Sequence, residues 1–302
     1  MHSIPFVDAH VHFWDLTHLR YPWLRPPFAN DGPNGSVQPI AHNYFPVDYR
    51  RDTARWNVVG AVHIDAGADP ADALEETRWL EQQGDAFGLP TGIVAYAALE
   101  HPAVEELLEA HAANPRVRGI RQIVNWHPDP QRAYTARDIT RDPAWERGFA
   151  MLAKHDLSFD LQCYPDQMPA FAELIGRHDD VSVMINHMGM PVVSDDRGSE
   201  RWRGGMRALA RYPKVSVKMS GPGFIWRRWT GPDIRQFVLQ SIDLFGTDRA
   251  MFATDLPTDK LFGSVDHHLE AYHEIVAGFS DDERRALFGR NANNLYRLNL
   301  SI

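Results

Sequence analysis

At 302 residues, 44% hydrophobic and 24% charged, the chain has the profile of a globular protein with ample material for a core. Its formal net charge of -9 offers no general basic surface, which argues against a nucleic-acid partner, and no apolar run reaches membrane-spanning length. Cys163 is the only cysteine, so no intrachain disulfide can form and a reducing, cytoplasmic setting is expected.

Taken in order, Ile4 to Val11 reads as a short apolar strand with His10 and His12 at its C-terminal end. Side chains at i and i+2 of a strand share a face, so the two imidazoles project side by side, a spacing suited to one metal ion or one substrate oxygen. Residues 16 to 57 form a long irregular stretch rich in proline and aromatics. Prolines such as Pro22, Pro26 and Pro27 exclude a helix interior, and so long a loop in a compact domain is read as a cover over the end of the first strand.

A regular rhythm follows. Strands are expected at 58–65, 91–99, 117–125, 157–164, 181–186, 215–219 and 250–254. Helices are expected near 71–83, 102–113, 143–155, 166–177, 199–211, 232–245 and 265–278. Short strands alternating with helical segments imply parallel β-α units, and eight units in this length predict a single (β/α)8 TIM barrel over residues 1–302. Ser280 and Glu283 have the spacing of a capping box for a final pair of short helices.

In such a barrel the active site lies at the C-terminal ends of the strands. Those ends carry His10 and His12, then Asp65, Arg121 with Gln122, Asn125-Trp126-His127, Gln162 with Tyr164, Asn186-His187, Lys218 and Asp255. Polar residues closing one apolar strand after another are hard to explain by packing, because buried polar groups cost free energy unless paired. Cys163 sits inside an apolar pattern and is expected to pack rather than react.

The segments Asp8-Ala9-His10-Val11-His12, Asn186-His187-Met188-Gly189-Met190-Pro191, Val217-Lys218-Met219-Ser220-Gly221 and Thr254-Asp255-Leu256-Pro257, in this order, resemble the amidohydrolase superfamily. They are most similar to its TIM-barrel lactone hydrolases, the branch of sugar lactonases and pyrone-dicarboxylate lactonase. Asn291 to Tyr296 resembles that branch's closing helix, so the resemblance spans the chain. Leu256 stands where tryptophan is common, and Gln122 where histidine often follows the strand-four arginine; both departures bear on the leaving-group side of the pocket. Metal-rich relatives complete their metal shell with a strand-four lysine or a strand-five histidine, positions where this chain has Arg121, Gln122, Gln162 and Tyr164. The resemblance therefore implies His10, His12 and Asp255 as ligands for one divalent ion, zinc or manganese, with His187 nearby. The same residues also suit a metal-independent site in which imidazoles donate hydrogen bonds to a carbonyl.

The mechanism expected from these residues is hydrolysis of a small-molecule cyclic ester, with Asp255 as general base and His10, His12 and His187 polarising the carbonyl. Arg121 and Lys218 are expected to hold substrate oxygens, with Gln162, Tyr164 and His127 beside them and Trp14, Trp126 and Trp226 as flat walls. Other histidines, among them His111 and the pair His267-His268, are expected to be incidental. Two rivals stay open: a non-oxidative decarboxylase of the same superfamily, and a barrel that binds a small molecule without turning it over. A homo-oligomer is compatible with the sequence.

Overall fold

The computed structural model describes residues 4–30 and 32–302. Its strands are β1 (Phe6–Val11), β2 (Val58–Ile64), β3 (Gly92–Tyr96), β4 (Val117–Arg121), β5 (Ser158–Leu161), β6 (Val183–Ile185), β7 (Val215–Met219) and β8 (Ala250–Phe252). All pair in parallel, in sequence order from β1 to β8. The helices are α1 (Pro46–Asp52), α2 (Ala73–Phe87), α3 (Val104–Ala112), α4 (Pro143–Lys154), α5 (Met168–Arg177), α6 (Gly198–Ala210), α7 (Gly231–Phe245), α8 (Val265–Ile275), α9 (Asp281–Arg285) and α10 (Asn291–Leu295). The single (β/α)8 barrel follows from this alternation.

Several strands stop before their apolar patterns do. β4 ends at Arg121 rather than Asn125, and β5 at Leu161 rather than Tyr164. Val124 and Cys163 remain buried beyond those ends, so the pattern carries on after the ladder has stopped. The cover also holds more order than its composition suggested: Pro46 starts the short helix α1, and Asp48 accepts a hydrogen bond from the Phe45 backbone N–H at 3.0 Å. Ser280 and Glu283 form the expected capping box.

The two faces of the barrel wall are separately packed. Val7, Ala9, Val62, Ile64, Val94, Met184, Met251 and Ala253 make one buried cluster, which Tyr296 and Leu298 of the C-terminal segment join. The alternate positions, such as Ala61, Ile93, Ile120, Phe159, Val217 and Phe252, join the helices in a larger cluster. This division is the two-residue period of a strand buried on both faces.

The ring closes without a regular ladder between β8 and β1. Val11 bridges Leu256, the Asp255 N–H donates to the His10 carbonyl at 2.9 Å, and the His12 N–H donates to the Leu256 carbonyl at 2.7 Å. Asp8 reinforces this seam: its carboxylate accepts from the Thr254 hydroxyl (2.6 Å), the Thr254 N–H (2.9 Å) and the Tyr49 hydroxyl of α1 (3.0 Å). Among the described residues, no helix is long and apolar enough to cross a membrane.

Candidate active site

The seam places His10, His12 and Asp255 together. His10 Nε2 and His12 Nε2 are 3.3 Å apart, and Asp255 Oδ1 lies 3.3 Å from the first and 3.1 Å from the second. His187 brings a ring nitrogen within 4.8 Å of ligand atoms on His10 and Asp255. All four side chains are buried. Asp255 (φ 56°) and His187 (φ 53°) both sit on left-handed backbone, as do Met188 and Met190 beside His187. Such conformations are sparsely populated by residues with a Cβ, and they persist where the surrounding fold imposes them, often at functional sites.

Hydrogen bonding sets the roles of the ring nitrogens. His12 Nδ1 donates to the Ile64 carbonyl at 2.7 Å, so the Nε2 of neutral His12 carries a lone pair. Burial and the Arg121 charge push the His12 pKa down to about 3, and burial together with Lys218 and His187 lowers that of His10. Burial raises the Asp255 carboxyl to about 8, with Arg121 opposing it. The His12 Nε2 lone pair thus faces a carboxylate oxygen, while Asp255 Oδ2 and His10 Nδ1 have no hydrogen-bond partner among the described residues. Two facing acceptors of this kind take up a proton or a cation between them. Spacings of 3.1–3.3 Å match the edge, roughly 3.3 Å, of a tetrahedron of donors ~2.05 Å from its centre, and nitrogen and carboxylate donors suit zinc or manganese. The residues present fit a divalent ion, with His12 oriented through its second nitrogen as metal-bound histidines commonly are.

A cavity of about 250 Å³ opens above this cluster, with His12, His187, Asp255, Arg121 and Gln162 in its lining. Arg121 is held rigidly: it donates from Nη2 to the Asp65 carbonyl, from Nη1 to Gln162 Oε1 (3.3 Å), and lies 3.4 Å from Asp65 Oδ2 through Nε. The cover supplies Trp23 and Asn34 to the wall. Trp23 Nε1 donates to the Ala66 carbonyl at 2.8 Å, and the Tyr134 hydroxyl donates to Asn34 Oδ1 at 2.9 Å. Arg227 clamps the cover from the far side, donating to the Asn34 carbonyl at 2.6 Å and the Pro33 carbonyl at 2.8 Å. The expectation of a cover over the site is met.

Other expectations need correction. Lys218 does not face the cavity: it is fully buried inside the barrel, where its ammonium pairs with Asp160, whose carboxylate also accepts from the Tyr296 hydroxyl at 2.9 and 3.0 Å. Trp14 is wholly buried behind His12, stacked at 6.4 Å, and supports the site from outside it. Trp226 packs against Phe237 of α7 at 5.7 Å, and Trp126 lies outside the cavity wall. Tyr164 and His127 stand together in a neighbouring crevice, where the Tyr164 hydroxyl donates to the Arg132 carbonyl at 2.7 Å. Gln122 points away from the site, accepting from Trp145 Nε1 (2.8 Å) and the Leu99 N–H (3.1 Å), so its departure from the family pattern concerns the α4 packing rather than the leaving group.

The wall residues that sequence reasoning missed are Trp23, Asn34, Ala66, Gly67, Ile123, Tyr134, Phe224 and Thr258. All lie in the connections between strands and helices, Trp23, Phe224 and Thr258 on short 3-10 turns, where no periodicity marks orientation; the aromatic runs around Trp23 and from Phe224 to Trp229 were the available signals.

A closed parallel barrel with histidines and an aspartate meeting at the C-terminal ends of β1, β6 and β8 defines a metal-capable hydrolase of the TIM-barrel class. The chain belongs to the amidohydrolase family, whose description matches residues 7–298. It is 42% identical to the protein y4mH of Sinorhizobium fredii, over 99% of this chain and all of that one. It is 26% identical to an L-fucono-1,5-lactonase of Burkholderia ambifaria, over 97% of this chain and 95% of the relative. In structure it is similar to an amidohydrolase of Burkholderia multivorans crystallised with bound zinc, with a TM-score of 0.80, 24% identity, and coverage of 97% and 99% of the two chains.

Proposed function

We propose that this hydrolase opens a small, neutral, hydroxylated lactone of the sugar-acid type. The observation that carries the reading is the meeting of His10, His12, His187 and Asp255, the last three of which line one small cavity. With Lys218 committed to Asp160, Arg121 is the single lysine or arginine in the lining among the described residues, and Asp65 balances it. Neutral groups on Asn34, Gln162, Tyr134 and Thr258 remain, alongside the flat faces of Trp23 and Phe224. That set suits hydroxyls and an apolar ring face better than a dicarboxylate. The lactonase relatives support the same substrate class.

In this mechanism the Asp255 carboxylate accepts a proton from water as the water oxygen attacks the lactone carbonyl carbon. Negative charge growing on the carbonyl oxygen is met by the Arg121 guanidinium in the cavity wall. The carbon–oxygen ring bond then breaks, and Asp255 returns its proton to the departing ring oxygen, leaving a hydroxy acid. His10, His12 and Asp255, with His187 beside them, would hold a divalent ion, which when bound supplies Lewis acidity at the carbonyl. Trp23 and the cover limit access of bulk water.

A pH-indicator assay with purified protein and a panel of aldono-1,4- and 1,5-lactones tests the reading. Acid release is expected from the wild type, and a loss of about a thousandfold or more from a correctly folded Asp255→Asn variant. Substantial turnover by that variant removes Asp255 as the base. No acid release, with carbon dioxide evolved from an aromatic acid, transfers the site to the decarboxylases.

A further inference from the structure

A second buried carboxylate–imidazole pair lies directly behind the catalytic cluster. Asp259 and His268 are 1% and 2% exposed, and His268 Nε2 stands 3.2 Å from Asp259 Oδ2. His268 Nδ1 donates to the Ser264 carbonyl at 2.8 Å, which fixes the ring in its socket beneath Trp229. The pair is not an isolated core contact. Asp259 donates its backbone N–H to the Asp255 carbonyl at 3.1 Å, which ties the pair to the turn that carries Asp255.

On the facing loop after β7, Gly221 touches the other half of the site. Its φ is +61°, and a Cβ there would fall 2.7 Å from His187 Nδ1, so its backbone lies against the imidazole. The adjacent Ser220 hydroxyl lies 3.0 Å from the same Nδ1. Gly223 and Phe262 lock the two loops in equally close contact. Asp259 therefore belongs to the turn that carries Asp255, and Phe262, whose N–H donates to the Asp259 carbonyl at 2.9 Å, packs that turn on the loop that orients His187.

We propose that Asp259 and His268 form a positioning pair, which holds Asp255 and His187 in register across the loops after β7 and β8. Neither side chain lines the cavity. Their effect is on placement, to which catalytic rates are steeply sensitive. The kinetic arm of the test rests on the lactonase reading; the spectroscopic arm does not.

The experiment compares Asp259→Asn and His268→Gln with wild type, following lactone turnover, melting temperature and the ring-nitrogen NMR signals of 15N-labelled histidines. In folded variants kcat is expected to fall about tenfold or more with KM within about threefold, and the His187 signals to shift while those of the remote, buried His111 stay in place. Unchanged kcat with unmoved His187 signals overturns the proposal. So does a shift of His187 and His111 together, which reports general loosening instead. If the wild type opens no lactone, the functional reading fails, and the His187 signals still decide whether the pair positions that residue.

Discussion

His12 Nε2 faces Asp255 Oδ1 at 3.1 Å, while the other nitrogen of the ring is already committed to the Ile64 carbonyl. Both facing atoms are acceptors, so something positive belongs between them: a proton on Asp255, whose pKa burial raises to about 8, or a metal cation. Zinc or manganese is expected to raise the melting temperature of the wild type, since a ligand at a hundred times its Kd stabilises by about 2.7 kcal/mol. The shift should vanish in a His10→Ala/Asp255→Ala double variant. A wild-type protein indifferent to millimolar levels of either metal would leave the proton as the occupant.

Lys218 and Asp160 make a buried ion pair, and removing one partner strands the other's charge in a dry interior at a cost of about 3–5 kcal/mol. Lys218→Met should therefore lower the melting temperature by roughly 10 °C and leave KM near its wild-type value. Lys218→Met/Asp160→Leu should recover much of the loss, because the stranded carboxylate is gone. A large rise in KM at unchanged stability would return Lys218 to the substrate.

Trp23 reaches the cavity through a gap that Gly67 leaves. The glycine has φ +71°, and a Cβ at that position would lie 2.9 Å from the indole nitrogen. Gly67→Ala and Trp23→Ala should both raise KM, by about tenfold for the loss of a stacking face, with a smaller change in kcat. Steady-state kinetics on the best lactone of the panel checks this; KM values unchanged from wild type in both variants would take the indole out of recognition.

His111 is buried between the Tyr96 carbonyl (3.0 Å) and the Thr77 hydroxyl (3.1 Å). Burial lowers its pKa to about 4, against 6.5 for the exposed ring. Between those values the unfolded chain binds the extra proton, so this group's contribution is complete above pH 6.5 and is lost as the pH falls towards 4. At pH 5 the loss amounts to about 2 kcal/mol. Melting curves at pH 7 and pH 5 should show wild type losing more stability than His111→Gln; parallel losses would rule out the assignment.

The barrel was readable because buried parallel strands and amphipathic helices alternate with strong periods, and because polar residues at strand ends have few packing explanations. His10, His12, His187 and Asp255 were all legible in this way. Lys218 was not, since a polar residue near a strand's end looks the same whether it rises into the cavity or sinks into the barrel; Asp160 on β5, two strands away, decides it. Trp23, Tyr134 and Phe224 escaped because short connecting segments carry no period from which a facing direction can be deduced. His268 read as an ordinary helix residue, its partner Asp259 being visible only once α8 is packed against the turn after β8.

The seam between β8 and β1 has a bearing on how activity is acquired during folding. His12 and Asp255 are separated by 243 positions in the chain, and their backbones are joined only where the ring shuts. Partial barrels, whether nascent chains still short of the eighth strand or fragments released by a protease, contain the histidines or the aspartate but never the assembled cluster. Turnover is thus an all-or-none reporter of ring closure, the slowest kind of contact for a polypeptide to make because its two halves begin so far apart.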